Sequence, residues 1–132
     1  MSPERISTLP KSTAAIYLRK ASDFARSMEA AVSVRNFDAA GLAGIHAVIS
    51  ACDALTVARL GLRSTAQDHS EVLKLLVRCN VPTPFLTQVR ETLALKNRVE
   101  YEARQLSEEE ADRLRVQVQR VLGFVGKAGR RG

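Results

Sequence analysis

The chain has 132 residues, of which 45% are apolar and 26% are charged. This length suits one domain and is too short for two full cores, and the apolar content argues against disorder along the whole chain. Charged residues interrupt the apolar stretches, so no transmembrane helix is predicted, and the first ten residues lack the apolar centre of a secretory signal. We therefore expect a cytoplasmic domain with no membrane partner.

The net charge of +6 is the first indication of a function. Fifteen of the 20 basic residues are arginine, whose planar guanidinium binds phosphate through parallel N–H groups. A basic domain of this kind is compatible with nucleic acid or nucleotides as ligands. However, acids are interleaved with the arginines, and the aromatic residues do not alternate with basic ones as in a platform for single strands.

Five segments show the three- and four-residue apolar spacing of amphipathic helices. The predicted helices cover residues 11–34, 37–60, 69–79, 84–101 and 107–125. Asn36 and Gly61 are suitable caps for the second helix, and Ser107 with Glu110 forms a capping box at the start of the fifth. The second helix is apolar on most sides, which is typical of a central helix.

The predicted fold class is all-α, an up-and-down bundle of about five helices. The bundle is expected over residues 12–126, after a flexible segment at 1–11 and before a basic flexible tail at 127–132. Residues 62–68 are predicted to be a polar connection. Cys52 and Cys79 lie in apolar segments without a CxxC spacing and are expected to be buried, reduced thiols.

The sequence lacks the common signatures of enzymes and metal sites. It has no phosphate-binding glycine loop, no GxGxxG after a strand and no GxSxG elbow. Two histidines without a CxxC motif do not supply the ligands of a structural zinc site. We therefore predict no metal and no cofactor.

A polar stripe on the second helix is the first candidate site. His46, Ser50 and Asp53 are spaced by four and three residues, so they share one face and can form a hydrogen-bonded chain. A buried carboxylate needs a partner, such as an arginine, a histidine or a second subunit. The stripe is consistent with a satisfied core network or a half-exposed face, and also with a ligand cleft or a subunit interface.

Two further segments contain candidate site residues. Arg63 and His69 match a loose ribonuclease spacing, although Asp68 and His69 equally fit the cap and first turn of the third helix. Asn97, Arg98 and Tyr101 end the fourth helix. There Arg98 can offset the helix dipole while Tyr101 packs on the fifth helix, or the three can form a polar site shared with the second helix.

The order of these features resembles the HEPN superfamily of small helical-bundle proteins. The alanine-rich segment 44–58, followed by Gly61 and His69, is similar to the central helix of that family and to the start of its next helix. Segment 93–101 is similar to its Arg-to-Tyr helix end, and 107–125 to its closing helix. The resemblance spans roughly residues 12–126.

The resemblance implies a homodimer in a stress, defence or toxin–antitoxin context. Catalytic members of the family cleave RNA without metal, using an arginine followed by a histidine. Arg98 is similar to that arginine, but no histidine follows it at the expected distance, so the usual proton carrier is missing.

We therefore expect a non-catalytic domain that binds RNA, a nucleotide or a cognate protein such as an antitoxin. The expected ligand-binding residues are His46, Ser50, Asp53, His69, Asn97, Arg98 and Tyr101. One alternative is a metal-independent ribonuclease toxin that uses Arg98, His69 and Arg63. Another is a helical module that only binds proteins.

Overall fold

The structure is a computed structural model that describes residues 6–65 and 69–131, with side chains described up to residue 128. Within these residues, five α-helices form a bundle, which confirms the predicted all-α class. The helices are α1 (Ala14–Ser33), α2 (Phe37–Leu60), α3 (Ser70–Arg78), α4 (Thr83–Tyr101) and α5 (Glu108–Arg131).

Helix α2 occupies the centre of the bundle, as its sequence predicts, and both predicted caps are present. The side chain of Asn36 accepts a hydrogen bond from the backbone N–H of Ala39 at 3.4 Å. Gly61 adopts a left-handed conformation, with φ of 65°, which ends the helix and which residues with a Cβ rarely adopt.

By length and composition alone, α2 is long and apolar enough to cross a membrane, although charged residues do interrupt it. Its charged residues are only Asp38, Asp53 and Arg59. However, 78% of its apolar window is buried inside the bundle. The central position of α2 accounts for its apolar sequence.

The four long helices alternate in direction. Met28 of α1 lies beside Gly44, and Phe24 stacks on His46, so α1 and α2 are antiparallel. Short α3 runs in the direction of α2, because Val72 shares a cavity with Cys52 while Arg59 donates to the carbonyl of Cys79. The connection from α2 to α3 therefore returns the chain along the bundle before α3 begins.

Part of that connection is a strand, which the sequence analysis missed. Strand β1 (Ile6–Thr8) pairs antiparallel with strand β2 (Leu62–Ser64), with Ser7 opposite Arg63. Residues 6–8, which fall in the segment predicted to be flexible, are therefore paired with the strand that follows α2. Residues 1–5 lie outside the described part of the chain. Strands of three residues are too short to show an alternating pattern.

The C-terminal end of the bundle also differs from the prediction. Helix α5 continues to Arg131, beyond the predicted end near Val125. Ala128 is buried against the core, so the helix gains a further packed turn. Gly123 and Gly126 lie inside this helix, which tolerates them because tertiary packing supports it.

Both cysteines are buried and unpaired, as predicted. Cys52 lies on α2 and Cys79 follows α3. Burial raises the pKa of each thiol, most strongly for Cys52, which disfavours the reactive thiolate. These side chains act as small apolar groups in the packing of the bundle.

Candidate ligand-binding site

The polar stripe of α2 spans the boundary between solvent and core. His46 is exposed and stacks on Phe24, with ring centroids 5.3 Å apart, whereas Ser50 and Asp53 are buried. All three line one cavity of about 420 Å³ between α1 and α2. Among the described contacts, no hydrogen bond joins His46 to Ser50 or Ser50 to Asp53, so the predicted chain is not formed.

Asp53 is partnered by Arg63 from strand β2. The Nε of Arg63 donates to Oδ2 of Asp53 at 3.0 Å, and the Arg63 guanidinium also lies 5.1 Å from the ring centre of Tyr17. Strand pairing holds this guanidinium over the C-terminal half of α2. An arginine was one of the partners that the sequence suggested for Asp53, but a helix pattern does not reveal which arginine a short strand will deliver.

Burial raises the pKa of Asp53, and the hydrogen bond and positive charge of Arg63 oppose this shift. The residue is only 3% exposed. A carboxylate this deeply placed costs free energy to ionise, and one arginine at the cavity wall compensates only part of that cost. Perturbed titration beside a cavity is a feature of functional sites.

Arg98 lies elsewhere and does not join the polar site shared with α2 that the sequence suggested. Its Nη2 donates to Glu110 at 2.6 Å, and its Nε donates to Glu102 at 3.4 Å. Ser107 and Glu110 exchange the two hydrogen bonds of the predicted capping box, and Arg104 also pairs with Glu110. Arg98 is thus part of a surface network at the start of α5.

The capping network holds its carboxylate ionised. The backbone N–H of Ser107 and the guanidinium of Arg98 lower the pKa of Glu110 to about 2. The hydrogen bond to Glu110, together with the nearby carboxylate of Glu102, raises the pKa of Arg98. These shifts belong to a satisfied capping motif, because each of these charged side chains faces a partner at the start of α5.

His69 links two cavities next to the Asp53–Arg63 ion pair. It lies just before α3 with φ of 62°. With Asp53 and Arg63 it lines a cavity of about 220 Å³, so the loose Arg–His spacing corresponds to real proximity. Its Nε2 lies 3.2 Å from Nζ of Lys96, and Asp68, the other suggested cap residue, is outside the described residues.

The second cavity is a groove between α3 and α4. It has a volume of about 520 Å³, and its polar lining residues are His69, Arg90, Lys96, Asn97, Glu100 and Tyr101. Two of the predicted site residues, Asn97 and Tyr101, therefore share a surface with a third, His69. Tyr101 is 80% exposed, so the suggestion that its ring packs on α5 was wrong.

Sequence reasoning missed the two basic residues of this groove. Arg90 precedes Asn97 by seven residues and Tyr101 by eleven, which is a single helical stripe. That spacing is visible in the sequence, and it could have grouped Arg90 with the candidate site residues Asn97 and Tyr101. Lys96 offered no such signal, because its place in the groove depends on how α3 packs beside α4.

The described residues contain no group of three or more histidine, cysteine, aspartate or glutamate side chains placed to hold a metal ion. The polar side chains of the candidate site are instead an ion pair, a histidine, two basic residues, an amide, a tyrosine, a glutamate and two hydroxyl groups. Such groups bind and orient a ligand through hydrogen bonds, charge and stacking.

The fold and this site together define an all-α bundle with adjoining polar cavities on one side. No family model matches the chain, and a search of curated proteins finds no significant match. The HEPN-like assignment therefore stays a prediction from the sequence features.

Proposed function

We propose that this protein is a non-catalytic domain, HEPN-like in its bundle, that binds a phosphate-bearing ligand, with RNA as the leading case. The binding surface is the α3–α4 groove, lined by the polar side chains given above. One observation supports this most directly: Arg90, Lys96 and the exposed ring of Tyr101 line the same groove.

The two cations are suited to phosphate. Neither Arg90 nor Lys96 forms an ion pair with a residue in the described parts of the chain, whereas most other arginines of the bundle do. Phosphate contacts from such side chains supply most of the affinity for nucleic acid. Glu100 is the acid that lines the groove, so the cations outnumber it.

Tyr101 and Asn97 provide the remaining chemistry of a single-strand site. A base that stacks on an aromatic ring gains about 1–3 kcal/mol. The amide of Asn97 offers both a donor and an acceptor beside that ring. Single-stranded RNA can present a base and a neighbouring phosphate to these groups together.

The contacts of the candidate arginines favour binding over cleavage. Arg98 is held by Glu110 and Glu102, and Arg63 is held by Asp53. In the catalytic members of the family that the sequence resembles, an arginine is followed by a histidine whose imidazole transfers protons. Here the imidazole of His69 instead contacts a lysine, with its Nε2 3.2 Å from Nζ of Lys96.

Titration of a labelled single-stranded RNA at two salt concentrations tests the proposal. We expect affinity to fall steeply with salt in the unmodified protein, and each of Arg90→Ala and Lys96→Ala to weaken binding and reduce the salt slope by about one. Arg120→Ala is the matched control, because this exposed arginine lies on α5 away from the groove. A flat salt response, or equal loss in the control, would overturn the proposal.

The same RNA, incubated with and without EDTA, tests the ribonuclease alternative. Under the binding proposal the RNA stays intact. Cleavage that resists EDTA, is lost in His69→Ala and is kept in Arg120→Ala would overturn the binding proposal in favour of a metal-independent ribonuclease.

Light scattering tests the homodimer that the resemblance implies, for which twice the chain mass is expected.

The RNA titration also tests the alternative of a module that binds only proteins. The absence of any RNA affinity would favour that alternative.

A further inference from the structure

We propose that the cavity beside Asp53 and Arg63, of about 220 Å³, is a subsite for one nucleobase and that guanine is the base it selects. The cavity is separate from the α3–α4 groove but adjoins it. The inference rests on the proposed function, since it names the base that accompanies the bound phosphate.

The position of the cavity connects it to the groove. Both are lined by His69 and Leu93, so the two hollows meet along these side chains. Arg90 and Lys96 lie on the groove side of this boundary, and Asp53 and Arg63 lie on the other. A nucleotide whose phosphate contacts the groove can therefore direct its base toward the cavity.

The walls of the cavity suit a flat aromatic ring. Four side chains of three helices supply apolar surface: Ile49, Cys52, Val72 and Leu93. Apolar walls with a few converging polar groups are typical of small-molecule sites. They would exclude water from the faces of a base and leave its edge to be read by the polar end.

The polar end offers an acceptor and donors side by side. Oδ2 of Asp53 accepts from Nε of Arg63, while Oδ1 accepts from no residue in the described parts of the chain. The terminal N–H groups of Arg63 likewise have no acceptor among those residues. A carboxylate can accept several hydrogen bonds and a guanidinium can donate five, so both retain capacity for a ligand.

Guanine matches this pair better than the other bases. Its edge places the O6 acceptor beside the N1–H and N2–H donors, so Arg63 can donate to O6 while Asp53 accepts from both donors. Cytosine and adenine present a single donor group next to an acceptor, and uracil presents one N–H between two carbonyls. Hydrogen bonds to a charged carboxylate are also stronger than those to neutral acceptors.

Calorimetric titration of the full chain with the four nucleoside 5′-monophosphates tests the inference. We expect GMP to bind at least about tenfold more tightly than UMP, with AMP and CMP between them. Equal affinity for the four nucleotides, or no binding of any of them, would overturn the guanine subsite.

Two variants identify the cavity as the source of the preference. Asp53→Asn keeps the shape of the side chain but replaces one acceptor oxygen with a donor group, so the preference for GMP should disappear. Ile49→Phe fills the cavity from its wall and leaves the ion pair in place, which keeps the test valid if Asp53→Asn fails to fold. Circular dichroism melts verify folding, and a GMP preference that survives Ile49→Phe would contradict the proposal.

The outcomes separate this inference from the proposed function. If RNA binding depends on Arg90 and Lys96 but the four monophosphates bind alike, the groove is supported and the guanine subsite is wrong. If GMP is preferred and the preference requires Asp53, while RNA affinity is insensitive to Arg90 and Lys96, the subsite stands and the RNA groove is wrong.

Discussion

Two arginine–carboxylate clusters in this bundle shift the pKa of their carboxyl groups in opposite directions. At the core, Arg63 donates to Asp53 at 3.0 Å, and burial raises the pKa of that carboxyl. At the start of α5, Arg98 donates to Glu110 at 2.6 Å, and the Ser107 N–H and Arg98 lower the pKa of Glu110 to about 2. A hydrogen-bonded arginine therefore does not by itself decide the direction of the pKa shift.

The difference comes from what surrounds each carboxylate. Glu110 receives two arginines and a backbone N–H, and it lies at a helix N-terminus where negative charge is favoured. Asp53 receives one guanidinium and lies inside the bundle. A fully satisfied carboxylate stabilises the fold, whereas an incompletely satisfied one beside a cavity retains capacity to bind a ligand.

Removing Arg63 is expected to have the largest effect on stability. Arg63→Met leaves Asp53 buried without its hydrogen-bonded ion-pair partner, so we expect the free energy of unfolding at pH 7 to fall by about 3 kcal/mol. This value is at the lower end of the stability losses expected when a buried ion pair is broken, because the Arg63 side chain is 37% exposed and water reaches it. Urea denaturation measures the change.

The pH dependence of that loss follows from the raised pKa of Asp53. A carboxyl whose folded pKa exceeds its unfolded value favours the fold at low pH, and this contribution is lost as pH rises. Without Arg63 the folded pKa rises further, so the deficit of Arg63→Met should be greatest at neutral pH and shrink in acid. Arg35→Met, which breaks an exposed pair with Glu108, should cost much less at any pH.

Glu110→Ala is expected to have an intermediate effect. The substitution removes the reciprocal bond to the Ser107 backbone, and loss of a helix cap costs about 1 kcal/mol. Since the pKa of Glu110 is lowered from 4.5 to about 2, its contribution is complete above pH 4.5 and is lost as pH falls toward 2. Urea denaturation at several pH values measures this loss.

Glu109→Ala is the matched control for this cap, because the neighbouring Glu109 is exposed and its contact with Arg113 is 4.0 Å long. A stability difference between Glu110→Ala and the unmodified protein that persists unchanged at pH 2 would show that the ionised carboxylate is not the source of the effect.

The parts of the fold that the sequence predicted are those that depend on neighbouring residues of the chain. Local signals predicted the helices and their caps, because Asn36, Gly61 and Ser107 act within one turn of their own chain. The pairing of Ile6–Thr8 with Leu62–Ser64 joins segments far apart in sequence, and no local pattern specifies it. The final turn of α5 likewise depends on a tertiary contact of Ala128.

The candidate site was predictable to a similar extent. Spacing on α2 placed His46, Ser50 and Asp53 on one face, and they do line one cavity. The partner of Asp53 was not predictable, because β2 rather than a helix face delivers Arg63. Lys96 was missed for the related reason that its position beside His69 arises from the packing of α4 on the start of α3.

Arg98→Ala is expected to have the smallest effect, although the resemblance gives this arginine a central role. Glu110 keeps its Ser107 bonds and its contacts with Arg104 at 3.0 and 3.2 Å, so the melting temperature should fall by less than in Glu110→Ala. The salt slope of RNA binding should not change, because Arg98 lies outside the groove. A slope reduced by about one would instead place Arg98 on the phosphate path, and the surface network at the start of α5 would then be part of the binding site.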